Sequence, residues 1–339
     1  MPKGSSKKKA VNGAVIGYGG AFNMGRAHAN WMNAAGIQTV AACDLDPARM
    51  EAAKQDFPGI RTYTAIKDLL KDDDVDLCVV ILPHNVHAKI AAQCAEAGKS
   101  VIVEKPMCIS VAEADEMIDA AKKAGVMLSV FHNRRHDGDY KAIKDVIDRG
   151  IIGDVFHIEI SGTGYGHPGT WWRADKKISG GAMYDWGAHF MDWVLNIVPS
   201  KVSGVNGYFQ KRVWMDATNE DHTHAVVRFE NGCVCDMQLG NIDMAPRRRW
   251  RILGTKGAIV DGERENHITV HAMHEGLRAV MYVPYQPSDW QTYYDRIAAH
   301  LMKGEELEVK PEEARRIISV FEAAERSSKS GKTEKPAYA

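Results

Sequence analysis

Short apolar runs alternate with segments of helical periodicity in the first part of the chain. The run 76–82 (DLCVVIL) is almost continuously apolar, which is typical of a parallel strand covered on both faces. Strict alternation of strand and helix predicts an α/β domain with a doubly wound parallel sheet of the Rossmann type. The strand candidates are 11–17, 38–44, 61–64, 76–82, 100–103 and 126–131, and the helix candidates are 24–35, 47–56, 66–71, 85–97 and 111–124.

The pattern changes after a further helical segment at 140–149. Strand-like runs then follow one another with few helices between them, and turns such as Glu230-Asn231-Gly232 separate them. This pattern predicts an α+β domain with a large, mostly antiparallel open sheet. Its strand candidates are 155–161, 202–209, 222–229, 233–239, 249–253 and 268–272.

The change of pattern divides the 339 residues into two predicted domains, at 11–132 and 133–330. Residues 1–10 carry lysines among serine and glycine and are expected to form a disordered basic tail. Near the C-terminus, one apolar stripe at helical spacing predicts a helix at 312–329 that packs on a domain, with the first domain as a candidate. The stripe consists of Ala314, Ile317, Ile318, Phe321 and Ala324.

Composition excludes several classes of partner. The formal net charge is -1, so no general field favours nucleic acid or an anionic membrane. No apolar run is long enough to span a bilayer, and the N-terminal lysines lack the apolar core of a signal peptide, so we expect a cytoplasmic protein. The six cysteines are interpreted as reduced and mostly structural. No second Cys/His pair accompanies Cys233 and Cys235 at zinc-site spacing, so no metal is predicted.

A glycine-rich turn follows the first predicted strand. Gly17 and Gly19 are placed to let the backbone approach a pyrophosphate at the N-terminus of the next helix. The usual spacing would put a third glycine at position 22, where this chain has Phe22, and the next glycine before the helix is Gly25. The loop is therefore lengthened, and its phosphate contacts stay unassigned among the candidates Gly20, Phe22, Asn23 and Met24.

Asp44 ends the second predicted strand, about twenty residues after the first helix begins. A carboxylate there can accept hydrogen bonds from the adenosine ribose and would repel a 2'-phosphate, so NAD is favoured over NADP. The alternative is an ordinary turn aspartate.

Asp185 and His189 lie one helical turn apart within 179–192 (SGGAMYDWGAHFMD). The aspartate is expected to accept a hydrogen bond from the imidazole, to fix its tautomer and to stabilise its charged form. Such a pair alone is more often a polar stripe facing solvent, but the dense aromatic setting favours an acid/base function.

Lys105 follows the fifth strand, in Glu104-Lys105-Pro106. Ligands of open α/β sheets bind beyond the carboxyl ends of the strands, so this lysine is directed toward the nicotinamide position. Taken alone, a loop lysine is more often a solvated surface charge.

Together these features resemble the Gfo/Idh/MocA family, the glucose-fructose oxidoreductase and inositol dehydrogenase type of enzyme. The resemblance extends over nearly the whole chain. It is carried by AVIGYG, by the segment 83–87 (PHNVH), by AGKSVIVEKP, by GGAMYDWGAH and by ILGTKGAIV. It implies that Lys105, Asp185 and His189 are the catalytic residues, and that Pro83, Asn85, His87 and Glu104 line the nicotinamide side.

The resemblance also implies a reaction. His189 would take the proton from a secondary hydroxyl of a sugar, polyol or glycoside, Lys105 would hold the oxygen, and hydride would pass to the nicotinamide. One alternative uses tightly bound NAD transiently, in a lyase or epimerase. Another, a non-enzymatic NAD-binding regulator, fits less well because the lysine and histidine are both present.

Further substrate contacts and a partner are predicted on weaker signals. Trp171, Trp172 and Arg173 offer a stacking platform and a donor for a polyol, with core or subunit contact as the alternative. Arg134 and His157 are further candidates near the domain junction. An antiparallel sheet with one open face usually finds a partner, so we expect a homodimer or homotetramer formed through the second domain.

Overall fold

The computed structural model describes residues 10–19 and 22–339. The predicted tail, apart from Ala10, and the candidate Gly20 lie outside these residues. In the described part, a parallel sheet and a large mixed sheet form two layered units, which confirms the predicted fold class. No helix in these ranges is both long and apolar enough to cross a membrane.

The first sheet has the strand order β3-β2-β1-β4-β5-β6, and all its pairs are parallel. Every residue of β4 is buried, as the continuous apolar run predicted. The order reverses between β1 and β4, where the carboxyl ends of the strands open a crevice for a ligand. The strands are β1 (Asn12–Ile16), β2 (Gln38–Cys43), β3 (Arg61–Tyr63), β4 (Leu77–Val80), β5 (Ser100–Val103) and β6 (Leu128–Val130), and the helices are α1 (Met24–Ala34), α2 (Pro47–Asp56), α3 (Ile66–Leu69), α4 (His87–Glu96) and α5 (Val111–Ala124).

The second sheet has the order β14-β13-β12-β11-β7-β10-β9-β8. Its pairs are antiparallel except for β7 with β10, which run parallel. The strands are β7 (Val155–Thr163), β8 (Val202–Gln210), β9 (His222–Phe229), β10 (Val234–Gly240), β11 (Trp250–Gly254), β12 (Gly257–Arg264), β13 (His267–His274) and β14 (Leu277–Pro284), and the remaining helices are α6 (Gly138–Asp148), α7 (Lys176–Ser179), α8 (Trp186–Ile197), α9 (Gln291–Lys303) and α10 (Pro311–Ser330).

Four elements were missing from the sequence prediction: β12, β14, α7 and α9. The run that forms β14 has no alternation, because it is an edge strand on which most residues are exposed. In α9, two of the four buried residues are tyrosines, Tyr293 and Tyr294, which weakens the apolar stripe.

One face of the second sheet packs on helices and the other is open. Ile158 and Ile160 of β7 are buried on the covered face, where α8 lies. Side chains alternate along a strand, so His157 and Glu159 lie on the open face. Here Arg251 pairs with Glu159, and His224 contacts Asp236 at 2.9 Å.

The two C-terminal helices return to the first unit. In α9, the Tyr293 hydroxyl donates to Ser129 Oγ at 3.0 Å. In α10, Arg315 pairs with Asp115 of α5 at 2.7 Å, and the backbone of Ala324 packs tightly against Gly207 of β8. A Cβ at position 207 would lie 1.9 Å from the Ala324 carbonyl oxygen, so only glycine fits there. Helix α10 therefore joins the two sheets.

Candidate active site

A cavity of about 590 Å³ opens at the carboxyl ends of β1, β4 and β5 and is closed on the other side by the segment before α8. Its volume is in the range of small-molecule sites. The lining residues come from both units: Gly17, Gly19, Phe22, Met24, Asp44, Ile81, Leu82, Pro83, His84, Glu104, Lys105, Phe131, Asn133, Arg134, Trp171, Trp172, Arg173, Asp185, Trp186, His189 and Trp290.

The turn after β1 and the first turn of α1 place two glycines where the backbone is closely approached. Gly17 has φ of +95°, and a Cβ there would lie 2.0 Å from the Ile81 carbonyl oxygen. Gly25, in the first turn of α1, packs against Tyr18, whose Cα would lie 3.0 Å from an added Cβ. Gly25 thus allows the close approach of helix and strand that the third fingerprint glycine normally provides. With Gly19 open to the cavity, this cradle fits a pyrophosphate at the N-terminus of α1.

Asp44 lies directly after β2 at the other end of the crevice. Its carboxylate accepts the Tyr18 amide at 2.8 Å and the Asp46 amide at 3.0 Å. These bonds hold the side chain at the cavity wall, and a carboxylate has lone pairs left for the two hydroxyls of a ribose.

Lys105 and Asp185 join the two units across the cavity. Lys105 Nζ lies 2.5 Å from Asp185 Oδ1 and 3.1 Å from the Asp185 carbonyl oxygen. Burial raises the pKa of Asp185, but the charge of Lys105 and then that of Arg173 outweigh it, and the net pKa is lowered. The carboxylate is therefore ionised and forms an ion pair with Lys105.

The structure corrects the expected pairing of Asp185 with His189. Helix α8 begins at Trp186, and Asp185 precedes it with ψ of -86°, outside the helical region. The one-turn spacing therefore does not bring the two side chains together. The Asp185 carboxylate faces Lys105 instead, with Arg173 Nε 3.9 Å away.

His189 lies buried in the cavity wall and is 5% exposed. Its Nδ1 has no hydrogen-bond partner within the ranges that the structure describes. Burial, followed by the charges of Lys105 and Arg134, lowers its pKa well below 6.5. The expectation that a neighbouring aspartate stabilises the charged ring is therefore wrong, and the imidazole is neutral near pH 7.

Glu104 is fixed by a buried network. Its carboxylate accepts the Lys105 amide at 3.0 Å and contacts Nε2 of His28, in α1, at 3.0 Å. His28 Nδ1 in turn lies 2.6 Å from the Tyr294 hydroxyl of α9. Burial raises the pKa of Glu104, but His28 and then Lys105 outweigh it and the net pKa is lowered. This network positions the backbone from which Lys105 reaches the cavity.

Two arginines and several aromatic rings form the remaining walls. The Arg173 guanidinium carbon lies 4.5 Å from the Trp172 ring centroid and 5.0 Å from that of Trp171. Arg134 lies between Trp186, at 4.6 Å, and Trp290, at 5.1 Å. Flat apolar faces beside fixed donors are suited to a polyhydroxylated ring.

Several predicted site residues do not line this cavity. His157 lies on the open face of the second sheet, as its position on β7 dictates. His87 is fully buried and contacts the carbonyl oxygens of Pro106 and Leu82, so it supports the loops behind the wall. Asn85 and Asn23 are exposed, and Asn23 precedes α1 with a left-handed backbone.

Other lining residues were missed by sequence reasoning, among them His84 and Trp290. His84 belongs to the motif 83–87, but a 3-10 turn at His84–Val86 directs it, rather than Asn85, to the cavity. Trp290 lies more than a hundred residues from the other lining segments, so no local signal marked it.

Comparison with known proteins agrees with this architecture. Residues 11–132 match the family described as "Oxidoreductase family, NAD-binding Rossmann fold", and residues 140–260 match the GFO/IDH/MocA C-terminal domain. The chain is 28% identical over 313 residues to scyllo-inositol 2-dehydrogenase (NADP(+)) IolW of Bacillus subtilis. The matched region covers 84% of this chain and 86% of that protein.

Two further relatives show the same likeness. The myo-inositol 2-dehydrogenase of Thermotoga maritima is 29% identical over 242 residues, or 68% of this chain and 70% of that protein. A solved NAD-binding protein from Listeria innocua superposes with a TM-score of 0.85 at 27% identity, covering 97% of each chain. The resemblance inferred from the motifs is thus confirmed, and the chain belongs to the Gfo/Idh/MocA family of oxidoreductases, with an NAD-binding Rossmann domain.

Proposed function

We propose that this oxidoreductase uses NAD to oxidise a secondary hydroxyl of a sugar, polyol or glycoside. One observation carries the proposal: Lys105, Asp185 and His189 come from two structural units and line one cavity, next to a turn that fits a pyrophosphate. The relatives named for inositol 2-dehydrogenation support a ring alcohol as the substrate class.

Lys105 has the role of holding the reacting oxygen. An ammonium has three N–H donors, and within the described residues two of them are given to Asp185. The third is available for the substrate hydroxyl, and the positive charge stabilises negative charge developing on that oxygen. Asp185 is the residue that keeps this donor in place.

His189 has the role of general base. Because its pKa is lowered, the ring is neutral and able to accept the hydroxyl proton. Bound nicotinamide supplies the hydride acceptor. Trp172 and Arg173 then orient the ring of the substrate and exclude water from the reacting face.

Removing either catalytic side chain is expected to slow turnover without preventing cofactor binding. Lys105→Met and His189→Gln should each lower kcat by roughly 10²- to 10⁴-fold, because each removes a positioned proton-transfer or charge-stabilising group. Nicotinamide absorbance measures turnover across sugars, inositols and glycosides, and fluorescence measures NADH affinity. The control is Lys89→Met, a change at an exposed position of α4.

A double variant Lys105→Ala, His189→Ala that retains full activity would contradict the assignment of the site. Absence of turnover with every alcohol, despite tight NAD binding by the unmodified protein, would contradict the proposed reaction itself.

The pH dependence should reflect the lowered pKa of His189. The neutral ring is the active form, so activity is lost on the acid side as the ring is protonated. We expect the acid limb of kcat/KM for oxidation to lie below pH 6.5. Arg134→Gln removes a neighbouring positive charge and should move the limb to higher pH, whereas Arg149→Gln, at an exposed position directly after α6, should leave it unchanged. An acid limb above pH 6.5 in the unmodified protein would rule out this role for His189.

Asp44 underlies the preference for NAD. We expect kcat/KM to be at least about tenfold higher with NAD than with NADP, a difference of roughly 1.4 kcal/mol, because the carboxylate repels a 2'-phosphate. Asp44→Asn should narrow this ratio, while Asp46→Asn, two residues further along, serves as the control. Since the relative IolW is named for NADP(+), equal or better use of NADP by the unmodified protein is the contradicting result.

The open face of the second sheet supports a homodimer or homotetramer. The contact of His224 with Asp236 on this face is partly buried even in the single chain, and the face is continuous over β7 to β11. Sedimentation velocity at micromolar concentration should show a dimer or tetramer, and a monomer at all concentrations would exclude this assembly.

A further inference from the structure

A second cavity, of about 770 Å³, lies beside the catalytic one and has no role in the proposed mechanism. Its walls come from the start of α6, from β12 and the turn after it, and from the segment that leads into α9. Arg134 and Trp290 line both cavities, so the two spaces share part of one wall.

The shared wall is an arginine held between two aromatic rings. The Arg134 guanidinium contacts the rings of Trp186 and Trp290. Asp137 fixes this arrangement, because its carboxylate accepts Arg134 Nη1 at 2.8 Å and Trp290 Nε1 at 2.6 Å. These contacts give the wall a defined shape toward each cavity.

Trp186 connects the reacting centre with the second cavity. Its ring centroid is 5.7 Å from that of His189 and 5.8 Å from the guanidinium carbon of Arg249, which lines the second cavity. Trp186 is 39% exposed, so its ring is accessible to a ligand. His189 and Arg249 are thus close enough together to contact one ligand that consists of two linked rings.

The second cavity holds hydrogen-bonding side chains that a ligand can reach. Arg249, directly before β11, has a side chain that is 40% exposed, and its Nη1 lies 3.4 Å from Asp139 Oδ2. This distance is long for a charged pair, so the guanidinium has donors left for a ligand. Asn266, in the turn between β12 and β13, is exposed and has a left-handed backbone with φ of +56°. Its amide offers both a donor and an acceptor.

The charges around this cavity disfavour an anionic ligand group. Within the described ranges, Arg134 and Arg249 are its only basic side chains. Asp137, Asp139 and Asp261 also line it, so the wall has no net positive charge with which to hold a phosphate or a carboxylate. Carboxylates and fixed donors beside an aromatic face are suited to an uncharged ring that carries several hydroxyls.

We propose that the second cavity is a subsite for a further hydroxyl-bearing ring of the substrate, which is then a disaccharide or a related glycoside. The reacting ring lies in the first cavity beside His189, and the distal ring lies beside Trp290 and Arg249. This inference rests on the proposed function for the reacting ring. Contacts with the distal ring add binding energy that is available to orient the reacting carbon, so kcat/KM rises.

The preference for two rings is tested first by turnover. Glucose is compared with maltose, cellobiose, trehalose and melibiose, and myo-inositol with galactinol, by nicotinamide absorbance at saturating NAD. At least one two-ring compound should show a kcat/KM roughly tenfold above that of its single ring, which corresponds to one charge-assisted hydrogen bond to the distal unit. Turnover of single rings without such a preference overturns the subsite.

Two variants test whether the preference comes from this cavity. Arg249→Met removes the donors and keeps the apolar stem, and Asn266→Gly removes the amide at a left-handed position that glycine tolerates. Each should lower the ratio of two-ring to single-ring kcat/KM, by about tenfold for Arg249→Met, and Asn266→Gly decides the question if Arg249→Met does not fold. The matched control is Arg278→Met, at an exposed position of β14 outside the lining. A ratio that neither variant changes overturns the assignment to this cavity.

Calorimetry with NADH-loaded protein separates this inference from the proposed reaction. If no alcohol is turned over but a disaccharide binds, and binds roughly tenfold more weakly to Arg249→Met, the reaction is wrong and the subsite stands. If single rings are turned over and the disaccharides neither bind more tightly nor react faster than they do, the reaction stands and the subsite is wrong. If no compound is turned over and no disaccharide binds, both are wrong.

Discussion

The contact between Lys105 and Asp185 is the interaction on which the site depends. The Lys105 side chain is mostly buried and that of Asp185 is partly exposed, and the pair holds the end of β5 against the segment before α8. That contact sets the distance between the dinucleotide crevice and His189. It also affects the protonation states around it: the charge of Lys105 lowers the pKa of Asp185 against the effect of burial, and it adds to burial in lowering the pKa of His189. One ion pair therefore links the geometry of the cavity to its charge.

Much of the fold follows from local patterns. Strand β4 is apolar throughout because both of its faces are buried, and β7 to β11 alternate because only one face of their sheet is covered. Both patterns can be recognised from consecutive residues. The cofactor turn was recognisable because glycine is required where Gly17 passes the Ile81 carbonyl. The sequence pattern did not predict edge strand β14 or helix α9. An exposed edge strand needs no alternation of apolar and polar residues, and tyrosines at two buried positions of α9 weaken its apolar stripe.

The site was predictable only in part, for reasons visible at single residues. Spacing predicted that Asp185 meets His189, but the helix begins one residue after Asp185, and its side chain points elsewhere. His157 was wrongly predicted as a substrate contact. Alternate residues of β7 lie on opposite faces of the sheet, and the sequence alone did not show which of the two faces is covered. His84 was passed over in favour of Asn85, since a single turn of 3-10 helix changes which neighbour faces the cavity.

The return of α9 and α10 to the first unit has a consequence for folding during synthesis. Phe131 and His28 of the parallel sheet domain complete their packing only with Tyr293 and Tyr294, which are made more than 160 residues after Phe131. When the parallel sheet has emerged from the ribosome, the surface around His28 and Phe131 is therefore still uncovered. It becomes covered only after α9 has been synthesised. Covering this surface is a late, long-range step, and long-range steps are the slow ones in folding. Because α9 supplies these contacts, the first unit reaches its native packing only after the C-terminal helices have been synthesised.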